Sequence, residues 1–396
     1  MIFSYKETAT RKIFTIFGIK IKFKKSRIKN FIKNYFCTNY NKNALICYLL
    51  HQYISDKTIY THSNTMESYI AGEIFSKIGY NVDIIDIYEA KTKEKAFFEK
   101  YDVIYGKLPV NAFYANKNCI PYNTGVGQKN YNIEAVKRWL EFYLKFQQIP
   151  LNSLCDDANI YSLLAKGVIS LGNDRVKETI TLDGIEKYQN LKNLDGFYFD
   201  VYDINLEAKN FKEAKKNFLW FGSRAAIHKG LDIVIEVFKK RKDITLHICG
   251  FNPLKNEDVF YNAYKDALDN KISNIINHGF VDISTQKFKD ILDTCSCIVS
   301  PSIAEGGAVG ILNVMCNGAL IPMITKQSGL DVENYGFTFD KVNQETVSQM
   351  IDKFLNLPEY EIKNLAYLIK TETREKYSME NYKKNLTSII KDILNE

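Results

Sequence analysis

Beyond residue 43 the chain alternates short apolar or β-branched runs with longer amphipathic stretches. Residues 44–50 predict a strand, and residues 65–78 a helix opened by Asn64 and closed by Gly79. Strands follow at 81–87, 102–105 and 167–172, with a helix over 133–146. Residues 203–216 are polar and charged and predict a linker. A second cycle then runs strand 217–221, helix 229–240, strand 244–249, helix 257–268, strand 272–278, helix 285–293, strand 297–300, helix 308–317 and strand 319–324. This is the rhythm of βα units on parallel sheets. It implies two Rossmann-like, doubly wound α/β domains facing across a cleft, with ligands beyond the carboxyl ends of the strands. The expected division is a basic arm over 1–43, an N-terminal domain over 44–205, a C-terminal domain over 206–375, and a final helix over 376–396 crossing back to the first domain.

Charge changes this picture only at the start. Residues 1–43 carry eleven Lys and Arg and one acid, Glu7, a net +10 against +7 for all 396 residues. The body is therefore weakly acidic, and without a basic groove it predicts no nucleic-acid partner. Phe and Ile interleave with the arm's lysines, which suits an anionic membrane surface. A solvated basic hairpin or edge strand is the plainer alternative. The longest apolar run, 44–50, is far below the roughly 20 residues of a membrane-spanning helix. No signal-peptide pattern appears, so a cytoplasmic protein, peripheral on the inner face of the cell membrane, is expected. Eight scattered cysteines, with Cys295 and Cys297 too closely spaced for a zinc knuckle, predict buried thiols and no metal site.

Two segments carry candidate chemistry. In the first, a strand ends at Gly222, followed by Ser223, Arg224 and then Lys229-Gly230 at a helix start. Two cations at a strand end beside a helix N-terminus suit a pyrophosphate. In the second, a strand ends at Ser300, and Glu305-Gly306-Gly307-Ala308-Val309 leads into an apolar helix. Here backbone amides for a phosphate lie beside a carboxylate for sugar hydroxyls. Elsewhere, His62 sits in a polar loop between a predicted strand and helix, where a base or acceptor contact would fit. His51, after the first strand, is a second candidate. His228 adjoins Lys229, and His247 within a strand reads as structural. Gly125-Val126-Gly127 lacks the third glycine of a dinucleotide fingerprint.

From Gly222 to Gly336 the sequence resembles the donor-binding domain of GT-B glycosyltransferases of the retaining family-4 type, the glycosyl transferases group 1. Gly222, Arg224, Lys229 and Gly230 carry the resemblance, with Ile248-Cys249-Gly250, the turn His278-Gly279-Phe280-Val281, the block Pro301-Ser302 to Glu305-Gly306, and Asn317-Gly318. The first half matches in rhythm and in the stretches 101–106 and 122–127. The resemblance implies a hexosyltransferase-like enzyme in bacterial surface polysaccharide synthesis. Such an enzyme moves a sugar from a nucleotide-diphosphate donor to a glycan or lipid-linked acceptor, retaining configuration, with no cofactor. Arg224 and Lys229 would meet the diphosphate. Gly222, Ser223, Gly250, Phe280, Val281 and residues 306–309 would line the donor. The family places two glutamates with seven residues between them. Glu305 fills the first position, on the sugar, while Asn313 stands at the second, on the ribose. No Asp-x-Asp occurs, which argues against the metal-dependent alternative architecture. Asn313 also motivates a second reading, a nucleotide-sugar-binding protein without turnover; a third is a GT-B enzyme acting on a phosphosugar, such as an epimerase or phosphorylase.

Overall fold

The structure, a computed structural model, describes residues 3–7, 11–16, 19–24, 31–48, 63–125, 128–148, 164–180, 190–222, 225–251 and 259–395. Three sheets are built from them. β1 (Phe3–Glu7), β2 (Arg11–Ile16) and β3 (Ile19–Lys24) form an antiparallel sheet within the arm, with Phe14 opposite Ile21 and Ile16 opposite Ile19.

The second sheet contains β4 (Phe31–Ile32), β5 (Lys42–Tyr48), β6 (Tyr80–Asp86), β7 (Val103–Gly106), β8 (Cys119–Asn123), β9 (Val168–Leu171) and β10 (Leu191–Leu194) in the order β10-β9-β8-β7-β5-β6-β4. All neighbours are parallel except β4, which closes the edge antiparallel to β6. The third sheet contains β11 (Asn217–Phe221), β12 (Thr245–Cys249), β13 (Ile275–Gly279), β14 (Cys297–Ser300), β15 (Ile321–Thr325) and β16 (Phe337–Phe339). It is wholly parallel, ordered β13-β12-β11-β14-β15-β16, so the winding reverses between β11 and β14. Its central strands are near-continuous apolar runs because helices cover both faces.

The two α/β halves are tied together by chain that crosses between them. In the helix Met379–Leu394, Tyr382, Leu386, Ile390 and Ile393 recur at helical spacing and join one buried cluster with Ala44, Ile46 and Ile120 of the second sheet. The Ser378 side chain caps this helix at Asn381 N–H. In the other direction, Phe142 of the helix Gln128–Phe146 joins the C-terminal core beside Phe260. The same helix sends Arg138 to Asp232, with Nη2 2.5 Å from Oδ2 and both residues buried.

Two predicted elements differ from the structure. Residues 203–216 are not a free linker: Ile204, Leu206, Phe211 and Ala214 bury in the C-terminal core, and Phe211–Ala214 is a short helix capped by Asn210. Lys209 is half-buried there and donates to the carbonyls of Leu292 (2.9 Å) and Gly318 (3.1 Å); desolvation pulls its pKa down to about 8. The predicted helix 257–268 is two short ones, Val259–Ala263 and Lys265–Leu268, because Tyr264 between them leaves helical geometry.

Candidate active site

The winding reverses between β11 and β14, and doubly wound sheets hold ligands beyond the carboxyl ends of the strands at such a reversal. Glycines let the strand ends approach closely. A Cβ added at Gly250 (φ +93°) would stand 1.9 Å from the Gly222 carbonyl oxygen. Gly222 N–H donates to Cys249 O (3.0 Å) and Gly250 N–H to Gly279 O (2.7 Å), so the ends of β11, β12 and β13 are laced together.

The loop after β11 is fixed to the loop after β14. Ile303 N–H donates to His228 O at 2.8 Å, and Trp220 Nε1 donates to Lys229 O at 3.1 Å. Gly230 adopts φ +68° so close to Pro301 that an added Cβ would meet the Pro301 carbonyl oxygen at 2.4 Å. This packing delivers Lys229 to Glu305, whose Oε1 accepts from the Lys229 ammonium. Ser302 Oγ donates to the same oxygen at 3.4 Å, and His228 Nε2 lies 3.9 Å from it. Burial pushes the Glu305 carboxyl up, but Lys229 and His228 outweigh it and hold it below its ordinary range. Burial in turn lowers the His228 pKa. The site therefore carries a carboxylate and a neutral imidazole at neutral pH.

The glycine loop has a neighbour in the other half. A Cβ at Gly306 would stand 2.2 Å from the Thr124 carbonyl carbon, and one at Gly307 (φ +62°) 2.5 Å from Leu171 Cγ. Ala308 holds φ +36° before the helix Val309–Gly318; Ile311 and Leu312 N–H donate to its carbonyl (2.8 and 3.0 Å), which leaves the Val309 and Gly310 amides ahead of the helical ladder. Lys107, at the end of β7, donates to Thr124 Oγ1 at 2.9 Å beside this contact.

Of the residues expected from sequence, the structure brings Lys229 and Glu305 together, with Gly222, Gly250 and Gly306–Val309 at the same strand ends. Phe280 is 71% exposed at the end of β13, whereas the Val281 side chain is buried in the core. Ser223, Arg224, His51 and His62 lie outside the described residues. The Asn313 amide is engaged by main chain. It is 4% exposed, its Oδ1 accepts from Phe199 N–H at 2.8 Å, and its Nδ2 donates to Val309 O at 2.8 Å. The amide thus holds the chain crossing between the halves instead of facing open space. Asn317 repeats the pattern one turn later, accepting from Val201 N–H and donating to Phe199 O. His247 stacks on His278 with Nδ1 3.0 Å from Nε2.

Sequence reasoning missed Ser302, Lys107 and Thr124. The Ser302 hydroxyl three residues before Glu305 was visible in the sequence, but the other two meet the site only through the tertiary approach of β7 and β8.

Residues 203–375 match the family described as Glycosyl transferases group 1. A search of curated proteins finds no match. Solved structures match over most of the chain. Sucrose-phosphate synthase from Thermosynechococcus elongatus is 11% identical with a TM-score of 0.64, over 90% of this chain and 100% of that one. Anabaena HepE in complex with UDP and glucose is 10% identical with a TM-score of 0.56, over 88% and 99%. A TarM variant from S. aureus, in complex with fondaparinux, alpha-GlcNAc-glycerol and UDP, is 13% identical with a TM-score of 0.53, over 98% and 76%. With two doubly wound sheets and a glycosyl transferases group 1 domain over residues 203–375, the chain is a glycosyltransferase of GT-B fold.

Proposed function

We propose that the chain transfers a sugar from a nucleotide-diphosphate donor to a glycan or lipid-linked acceptor, with retention of configuration and without a metal ion, in surface polysaccharide synthesis. The observation that carries this reading is the pairing of Lys229 with Glu305 at the winding reversal between β11 and β14. Cleaving the sugar from the diphosphate builds negative charge on the leaving group and positive charge on the sugar. Lys229 and the Val309 and Gly310 amides stand on the side suited to the leaving group, and the sequence adds Arg224 there. Glu305 accepts hydroxyl hydrogen bonds from the transferred sugar. In the unliganded protein Lys229 neutralises Glu305; on donor binding its charge passes to the phosphates.

HepE and TarM carry UDP in the structures compared, so UDP is the first probe. Lys229→Ala is expected to weaken UDP binding roughly ten- to a hundred-fold, the loss of one charge-assisted contact. Glu305→Ala should keep or improve UDP binding, because it frees Lys229, yet abolish transfer. Calorimetry with UDP and a panel of other nucleoside diphosphates, paired with a turnover assay, separates these patterns. Parent-like binding and turnover in both variants would place the donor elsewhere.

The arm belongs to the same proposal. Along the arm Phe and Ile interleave with lysines, and residues 1–43 carry a net charge of +10. Basic and apolar residues together in the arm suit contact with anionic lipid. Removal of residues 1–30 should abolish low-salt co-sedimentation with phosphatidylserine vesicles; equal sedimentation of both forms rejects the idea. Among the described residues no helix is long and apolar enough to cross a membrane.

A further inference from the structure

The helix Gln128–Phe146 has two faces with different fates. On one, Ala135, Arg138 and Phe142 recur three and four residues apart and are buried against the body of the protein. On the other, Ile133, Val136, Leu140, Tyr143 and Leu144 form a stripe in which every residue is between 39% and 65% exposed. Exposed apolar residues scattered singly need no explanation, but a contiguous stripe of them marks a contact surface.

The spacing indicates the kind of surface. Ile133, Val136, Leu140 and Tyr143 stand three, four and three residues apart, the pattern of a seam between one helix and another. Charges border the stripe on one side. At about 100° per residue, Glu134, Lys137, Glu141 and Lys145 all fall along the same flank, and all four side chains are exposed. Acid and base alternate there, whereas a helix seated in a membrane surface carries mainly Lys and Arg beside its apolar face. The two glutamates therefore disfavour lipid. The alternation is also self-complementary. An antiparallel pair brings the same flank of both helices together. About a twofold axis near Leu140, Glu134 then stands opposite Lys145 of the second copy and Lys137 opposite Glu141, so all four charges meet the opposite sign. A parallel pair would set the charged flank against the side of Trp139, which packs on the protein's own core.

We propose that two copies of this chain associate through the exposed stripe of Gln128–Phe146, with the helices antiparallel about a twofold axis near Leu140. The stripe spans about 17 Å of helix, short of what a permanent dimer covers, so the association is reversible and depends on concentration. The surface adjoins the candidate site without entering it: the Tyr131 ring, two residues before Ile133, stands 5.3 Å from that of His228. The inference rests on this helix and not on the transferase reading.

Sedimentation velocity of the full-length protein over a dilution series tests the proposal. A monomer–dimer equilibrium is expected. Leu140→Glu, at an exposed position, should leave only monomer while keeping the circular dichroism and melting temperature of the parent. Two charge reversals test the geometry. Lys137→Glu and Glu141→Lys each create two like-charged contacts in their own dimer, and each should associate about ten-fold more weakly. An equimolar mixture of the two restores opposite signs at both contacts and should regain the association of the parent. A monomer at every concentration would mean that the stripe is covered within one chain, and would overturn the proposal. So would an undiminished dimer in Leu140→Glu, or no gain on mixing the two charge variants. Loss of phosphatidylserine-vesicle binding in Leu140→Glu with self-association unchanged would assign the face to lipid and equally overturn it.

Discussion

A methyl group at Gly230 is the smallest change expected to undo the site. Its left-handed backbone and its contact with the Pro301 carbonyl both forbid a Cβ, so Gly230→Ala must part the two loops that deliver Lys229 to Glu305. The expected result is a loss of about 1–3 kcal/mol in chemical denaturation, with weaker UDP binding although no charge has been removed. Asn313 gives a second test. Asn313→Asp keeps the acceptor for Phe199 N–H but turns an oxygen toward Val309 O, where Nδ2 now donates. Destabilisation of about 1–3 kcal/mol follows, and Asn313→Glu, which adds length in a buried place, should cost at least as much. Wild-type stability in both would show that the amide is not needed where it lies. The identity of residue 313 was legible in the sequence, but its role was not. An amide eight residues after a loop carboxylate serves a ribose or a backbone equally well, and only the path of residues 196–202 decides between them.

Strands were legible in proportion to how completely they are buried. Asn217–Phe221 and Cys297–Ser300 are short apolar runs between polar borders, and their limits agree with the pattern. Leu191–Leu194 has two polar residues in the middle of four and gave no signal. Residues 203–216 misled because many of their side chains are charged while four apolar ones bury. The pairing of Arg138 with Asp232 spans 94 positions and leaves no local trace. It makes a prediction for the helix Gln128–Phe146: Arg138→Met strands the Asp232 carboxylate in the core and should cost about 3–5 kcal/mol. Adding Asp232→Leu should restore much of that, as a double-mutant thermal unfolding series would show. On β12, burial and His278 lower the His247 pKa to about 4. The unfolded chain therefore binds the extra proton from about pH 6.5 downward while the folded one does not. Stability should fall as pH drops from about 6.5 toward 4, and His247→Gln should flatten that slope in denaturant melts taken across the range.

For the whole molecule, the return of the last helix makes the first half dependent on the end of the chain. Stopping translation after residue 378 would uncover the surface that Tyr382, Leu386, Ile390 and Ile393 now close. The truncated chain is expected to aggregate or to lose the cooperative melt of its first half, measured by light scattering and calorimetry; a soluble, fully cooperative product would contradict this packing. At the glycine loop the halves also touch through main chain. A Cβ on Gly172 would stand 3.2 Å from Gly307 N, and one on Gly196 would meet Gly307 O at 2.5 Å. Main chain bears on main chain, as in a hinge whose leaves meet without a washer. Any atom added there becomes a shim that sets the angle between the halves. The series Gly196→Ala, →Ser and →Val should open that angle stepwise, visible as a growing radius of gyration in solution scattering, and the glycines thereby mark the pivot about which the two halves are aligned.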